Sequence, residues 1–93
     1  MSDDEPSERD LAGALYRELE ATEGLPIDPV ANRWLGEAQA VAREIRGDVS
    51  PEVRREGATD VVRLLESIEE TDDERADERV ERALALAERF AQA

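Results

Sequence analysis

The sequence contains no cysteine, no histidine and no lysine, and it has one residue each of tryptophan, tyrosine and phenylalanine. Without cysteine the chain can form neither disulfides nor thiolate metal sites, and this suits a cytoplasmic protein. Without histidine it also lacks the parts of a Ser–His–Asp triad. The five glycines are scattered, so no glycine-rich phosphate loop is present. We therefore expect a protein that is not an enzyme and that holds no cofactor.

Long apolar runs are missing as well. None approaches the roughly 20 residues that a helix needs to span a bilayer, and the first residues do not form the apolar core of a signal peptide. We therefore expect a cytoplasmic protein that makes no contact with a membrane.

Acidic residues are abundant: 25 stand against 12 basic residues, all of them arginine, and the net charge is −13. Such an excess destabilises a compact state by self-repulsion. At about 1 M salt the Debye length is only about 3 Å, so this repulsion is largely screened. The composition therefore favours a salt-rich cytoplasm. An acidic mimic of nucleic acid or a disordered acidic segment are the alternatives, and the apolar periodicity described next argues against disorder.

The segment from Asp28 to Gly47 has the clearest start and stop in the chain. Asp28 is a good N-cap, and Pro29 suits the first helical position, where its missing N–H is no loss. Gly47 is placed to adopt the left-handed conformation that ends a helix. Between these signals the apolar residues recur at gaps of four and three, which predicts a helix. This stripe consists of Val30, Trp34, Ala38, Val41 and Ile45.

A following helix is predicted from Ser50, because Ser50-Pro51 repeats the cap-and-proline start and the apolar spacing recurs. The connection is short, so the two helices should be antiparallel neighbours. One register then joins Ile45 with Val53, Val41 with Gly57, Ala38 with Val61, Trp34 with Leu64 and Val30 with Ile68. We expect this seam to form the core, with Gly57 allowing the two backbones to approach closely.

Two further helices complete the prediction. The first should begin at Ser7 and end at Gly24, with a stripe of Leu11, Leu15 and Leu19 beside Ala12 and Tyr16. The last should begin at Thr71, which forms a capping box with Glu74. Its predicted core stripe is Val80, Leu84, Ala87 and Ala91, flanked by Ala76, Ala83 and Phe90. The fold class is therefore all-α, an antiparallel up-down-up-down four-helix bundle with short connections over residues 7–93. Residues 1–6 are predicted to be a disordered acidic tail.

Carboxylates offer one alternative function. All-helical nucleotide pyrophosphohydrolases bind Mg²⁺ through Glu-x-x-Glu on one helix and Glu-x-x-Asp on the next. Glu66-x-x-Glu69 and Glu74-x-x-Asp77 are formally similar, but they straddle a connection instead of facing each other in mid-bundle. Such matches also arise by chance in a chain with this many acids. A Mg-dependent pyrophosphohydrolase-like enzyme is therefore the alternative to a non-enzymatic protein.

The predicted interaction surface is one side of the second helix, opposite Trp34, together with a cluster of arginines around the following connection. That side lacks carboxylates, which is unexpected in so acidic a chain, and Gly36 there costs helix stability. We predict a protein partner, or self-association, on this surface. The arginines also suit a helix end, and without aromatic neighbours they do not predict nucleic-acid binding. The candidate contact residues are Asn32, Gly36, Gln39, Arg43, Arg46, Arg54 and Arg55.

The run ATEGLPIDPVANRWLGEAQAVARE, from Ala21 to Glu44, resembles part of a small haloarchaeal family of uncharacterised, all-helical proteins. The resemblance covers most of the chain after the first residues. It implies a helical fold and a haloarchaeal source, and it carries no activity or catalytic motif. The function predicted from the sequence is thus a protein–protein interaction module of a salt-adapted cytoplasm.

Overall fold

A computed structural model of the protein describes residues 7–92, so the predicted tail at residues 1–6 lies outside the described range. The chain forms four α-helices: α1 (Glu8–Glu20), α2 (Pro29–Ile45), α3 (Pro51–Glu66) and α4 (Glu74–Ala91). Helix α1 packs against α2 and α4, and α3 packs against the same two helices, which closes a ring. Residues 7–92 contain no strand. The predicted all-α four-helix bundle is confirmed.

Contacts at the helix ends fit the predicted up-down-up-down order. The Asp28 amide, just before α2, donates to the Thr71 carbonyl, just before α4, at 2.8 Å. At the other end, Arg55 of α3 pairs with Glu8 of α1 at 3.3 Å. The starts of α2 and α4 therefore share one end of the bundle and the starts of α1 and α3 share the other, as expected for antiparallel neighbours.

Three of the four predicted helix starts are confirmed. The side chains of Ser7, Asp28 and Ser50 each accept from backbone amides in the first turn of the helix that follows. The capping box predicted for Thr71 and Glu74 is wrong, because Asp73 caps α4 and accepts from the Arg75 and Ala76 amides. Asp72 has a φ of 66°, and this left-handed residue delays the start of the helix.

Thr71 has a different role from the one predicted. It is buried, its hydroxyl accepts from the Asp73 amide, and it also contacts the Asp77 carboxylate. Its carbonyl accepts from Asp28, as described above. Thr71 thus ties the two connections at this end of the bundle to each other.

Two predicted helix ends differ from the structure. Helix α1 ends at Glu20, and Gly24, which does adopt a left-handed φ of 81°, lies in the turn beyond it. Gly47 is not among the residues of positive φ. The Gly47 amide donates to the Glu44 carbonyl at 3.2 Å, and Arg54 binds other carbonyls at this helix end, so a left-handed glycine is not needed there.

The buried stripe of α2 is rotated away from the predicted one. It consists of Ala31, Leu35, Ala38, Ala42 and Ile45. Val30, Trp34 and Val41 were predicted to be core residues, but Trp34 and Val41 are only partly buried and Val30 is 63% exposed. At about 100° per residue these three side chains lie about 80° to one side of the buried stripe. They border α3 at the surface of the bundle.

The buried faces of α3 and α4 also differ from the predicted stripes, rotated in the same sense as α2 for α3 and in the opposite sense for α4. In α3 the buried residues are Gly57, Ala58, Val61 and Leu65, whereas Val53 is 46% exposed and Leu64 is partly buried. In α4 the buried residues are Ala76, Ala83, Ala87 and Phe90, and the predicted stripe residues Val80, Leu84 and Ala91 are only partly buried. Small side chains therefore occupy much of the bundle centre.

Contacts between α2 and α3 agree with two of the predicted pairs, Val41 with Gly57 and Val30 with Ile68. A Cβ atom on Gly57 would lie 3.4 Å from Cγ1 of Val41 and would overlap Cγ2 of Ile45. Val30 and Trp34 line the same groove as Ile68, and Val41 and Leu64 line the next. The predicted pairing is matched only in part, because Gly57 lies nearest to Ile45 and because Trp34 and Leu64 line different grooves. The α2 side chains at Val30, Trp34 and Val41 form the outer edge of the core.

Candidate functional site

The predicted interaction surface of α2 does not form one free face. Asn32 and Gly36 are exposed, but Gln39 is buried, and its side-chain amide donates to the Glu23 carboxylate at 2.6 Å. The placement of Gln39 on an outer face is therefore wrong. It joins α2 to the turn that follows α1.

Arg43 and Arg46 lie over Tyr16 of α1. The Arg46 guanidinium carbon is 3.9 Å from the centre of the tyrosine ring, and Arg43 donates to the Tyr16 hydroxyl at 3.4 Å. That hydrogen bond raises the pKa of Arg43 above its ordinary value. Tyr16 itself is buried. The two arginines therefore cover the α1–α2 contact, where a cation–π pair contributes roughly 0.5–1 kcal/mol at an exposed site.

Arg54 and Arg55 are also engaged within the bundle. Arg54 donates to the carbonyls of Ile45 at 2.9 Å, Gly47 at 3.0 Å and Val49 at 3.3 Å, so it satisfies the carboxyl end of α2. Arg55 pairs with Glu8 and joins α3 to α1. Both guanidinium groups already have partners within the bundle, so neither forms an open binding site for an anion.

A different surface emerges on the other side of α2. Trp34 and Val41 of α2, Leu64 of α3 and Ile68 just beyond α3 remain partly exposed, beside the exposed Val30. They line two adjacent grooves of about 440 and 430 Å³, which share Ser67. We call this surface, from Val30 to Val41 and from Asp60 to Glu70, the α2–α3 groove. Spacing in the sequence identified these apolar residues, but it predicted that they are buried in the seam between the two helices.

Acidic side chains border the α2–α3 groove. Asp28, Glu69 and Glu70 line its first half, and Glu37 and Asp60 line its second half. Arg63 is the only basic residue among the lining residues, and it is bound to Asp60. The groove is therefore an apolar strip within a strongly negative rim.

The carboxylates of the alternative enzyme prediction do not gather into a metal site. Within residues 7–92, which include Glu66, Glu69, Glu74 and Asp77, no group of three or more potential ligands is arranged to hold a metal ion. Asp77 contacts the Thr71 hydroxyl, and Glu69 lies at the groove. The spacing in the sequence matched that of the pyrophosphohydrolases, but the geometry gives it no support.

Comparison with models of protein families identifies the family of this chain. The model of a Domain of unknown function (DUF8152) matches residues 11–93. The chain belongs to this family. Searches of curated proteins and of solved structures gave no match.

The DUF8152 match spans most of α1 and all of α2, α3 and α4, so the α2–α3 groove belongs to the family's domain. This match agrees with the resemblance to an uncharacterised family that was expected from the sequence. Of the helices in the described part of this DUF8152 domain, none has the length and apolar character needed to cross a membrane. The surface of the domain carries a partly exposed tryptophan among aliphatic side chains.

Proposed function

We propose that this DUF8152 domain is a non-enzymatic protein–protein interaction module and that it binds its partner through the α2–α3 groove. The observation that carries the proposal is the row of Val30, Trp34, Val41, Leu64 and Ile68 on the surface of a chain in which 40% of residues are charged. Contiguous exposed apolar surface with a polar rim is typical of interaction sites.

Trp34 is the natural anchor of such a contact. Tryptophan is enriched among the residues that contribute most to binding, particularly near the centre of an interface. Trp34 lines the groove together with Val30 and with Ser67 and Ile68, which follow α3, and part of its side chain is open to solvent. A partner side chain placed there would exclude water from both helices. We therefore still propose an interface on α2, but on the side that faces α3 and not on the side predicted from the sequence.

We also propose that the domain works in a salt-adapted cytoplasm. The described part of the chain contains four ion pairs, and two of them, Arg63–Asp60 and Arg75–Asp73, are local. Most of the acidic residues within residues 7–92 therefore have no basic partner at ion-pair distance, in a chain whose net charge is −13. At high salt concentration, screening by ions reduces the repulsion between these carboxylates.

Site-specific photo-crosslinking tests the interaction proposal. A photoreactive amino acid replaces Val30 in the groove, Gly36 on the originally predicted face, or Arg82 on α4, and each variant is irradiated in cells of the source organism. All three positions are exposed. We expect a discrete adduct from position 30 that is absent from position 82.

An adduct from position 36 without one from position 30 would move the interface to the other side of α2. Identical adducts from all three positions, or none from any, would contradict an interaction module with a defined surface. An adduct with twice the mass of the chain would indicate self-association.

A further inference from the structure

We infer that the α2–α3 groove accepts a basic amphipathic helix of about three turns and not a second copy of this chain. This inference rests on the proposed function, because it names the class of partner for the same groove. It is carried by the groove's length, by the placement of its apolar side chains and by the sign of its rim.

The length of the groove fits a short helix. On α2 its apolar residues run from Val30 to Val41, which at about 1.5 Å per residue is roughly 16 Å. A bound helix of about 11 residues covers the same distance in three turns. Its apolar side chains at i, i+4 and i+11 would meet Val30 with Ile68, then Trp34, then Val41 with Leu64.

The acidic residues that border the groove favour a bound helix with positive charge. Five carboxylates line the groove, from Asp28, Glu37, Asp60, Glu69 and Glu70. The single lining arginine, Arg63, is already bound to Asp60. An apolar stripe flanked by arginine or lysine would meet opposite charges on both sides, whereas an acidic or neutral helix would leave the carboxylates uncompensated.

The same charges disfavour a second copy. A twofold dimer brings the same surface of both chains together, so the acidic rim would face itself. Each copy also carries a net charge of −13. Like charges facing each other across an interface cost several kcal/mol. The occupant is therefore a different protein segment, and it is basic.

Peptide binding to the intact chain tests the inference. The probes are three helical peptides of about 14 residues, enough for roughly four turns. One has leucines at i, i+4, i+7 and i+11 with lysines elsewhere, the second replaces the lysines with glutamates, and the third is a non-amphipathic scramble of the first. Fluorescence of Trp34, the only tryptophan, reports binding at the groove.

We expect the basic amphipathic peptide to bind at least about tenfold more tightly than the acidic one, a difference of about 1.4 kcal/mol. The scramble should bind more weakly than its parent. E69K/E70K reverses two groove carboxylates and should reduce the preference about tenfold or more. E78K/E88K is the matched control, because it changes the net charge equally at exposed positions of α4 that do not line the groove.

Equal effects of the two charge reversals would show attraction by net charge only and would overturn the inference. A scramble that binds as well as its parent would do the same. Binding of the acidic peptide at the groove, or a Trp34-dependent dimer by light scattering, would overturn the basic partner but leave an interaction module. Val30→Ser, at an exposed position, gives a second readout: it should weaken the basic peptide severalfold, and unchanged binding would contradict docking in the groove.

Discussion

Gly36 and Gly57 are both mid-helix glycines, but their surroundings are opposite. A Cβ atom at Gly36 would meet nothing within 4 Å, whereas one at Gly57 would overlap Cγ2 of the buried Ile45. A mid-helix glycine costs roughly 1 kcal/mol relative to alanine. At Gly57 this cost permits the close approach of α2 and α3, and at Gly36 no contact within the bundle offsets it.

Alanine substitutions at the two glycines should therefore change stability in opposite directions. We expect Gly36→Ala to raise the free energy of unfolding by about 0.5–1 kcal/mol through helix propensity. We expect Gly57→Ala to lower it by about 1 kcal/mol, because overpacking of about 1–3 kcal/mol exceeds the propensity gain. Urea denaturation of both variants in the same buffer measures the difference. A Gly57→Ala variant as stable as Gly36→Ala would contradict the tight packing against Ile45.

Arg54 tests whether the arginine cluster is structural. Its three hydrogen bonds satisfy carbonyls at the end of α2. Arg54→Met keeps the aliphatic stem and removes the donors, so we expect a loss of about 1–3 kcal/mol in the free energy of unfolding. Arg82→Met, at an exposed position of α4, is the control and should change stability by less than about 0.5 kcal/mol. If the two variants melt alike, Arg54 is free to bind a ligand as the sequence suggested.

At the scale of the helix, the start of α4 contains a carboxylate with a perturbed pKa. The hydrogen bond from the Arg75 side chain, at 3.0 Å, is the main cause that lowers the pKa of Asp73, and the amides of Ala76 and Arg75 act in the same direction. A carboxylate whose folded-state pKa is lowered stabilises the fold above its unfolded-state pKa, about 3.9. This stabilisation is lost as the pH falls through the folded-state pKa.

Asp73→Asn should therefore reduce stability at neutral pH but not in acid. Asparagine retains the capping oxygen, so the variant removes the charge while it keeps the cap. We expect the stability difference from the parent chain to be largest above about pH 4 and to close as the pH falls further below that value. Denaturation at a series of pH values measures it. Asp48→Asn, at an exposed position, controls for the loss of one negative charge; a difference at Asp73 that is constant with pH would contradict the assignment.

The helices themselves could be predicted from the sequence because their signals are local. Ser7, Asp28 and Ser50 cap as expected, and the stripe of α1 is confirmed, since all of its leucines are buried. The start of α4 was missed because Thr71 and Asp73 are both good caps. In the structure Thr71 is held by its contact with Asp28, and the left-handed Asp72 places the start of the helix after Asp73.

The rotation of α2 could not be predicted from its periodicity. Two stripes with the same spacing, one containing Trp34 and one containing Leu35, share Ala38 and Ile45. The spacing predicted the first stripe as central, with Ala31, Leu35 and Ala42 widening it. The bundle instead places alanines at its centre and leaves Trp34 at the groove. This rotation of about 60° also explains why Gln39, predicted to lie on an outer face, reaches the turn that follows α1.

At the scale of the whole molecule, the charge of −13 acts on every element of a domain of 93 residues. Self-repulsion opposes the compact state, and salt screens it. We expect the melting temperature to rise by about 10 °C or more between dilute buffer and molar KCl, which for a domain of this size corresponds to roughly 2 kcal/mol. Thermal unfolding followed by circular dichroism measures this directly.

A charge-reduced variant separates screening from other effects of salt. Replacing Glu44, Glu56, Glu66, Glu78 and Glu88 with glutamine preserves side-chain size at exposed positions that do not line the α2–α3 groove. The net charge changes from −13 by five units, so the variant should melt higher than the parent in dilute buffer and gain less from KCl. If parent and variant gain equally, the salt acts through burial of apolar surface and not through charge. A parent chain whose melting temperature is independent of KCl would contradict salt adaptation itself.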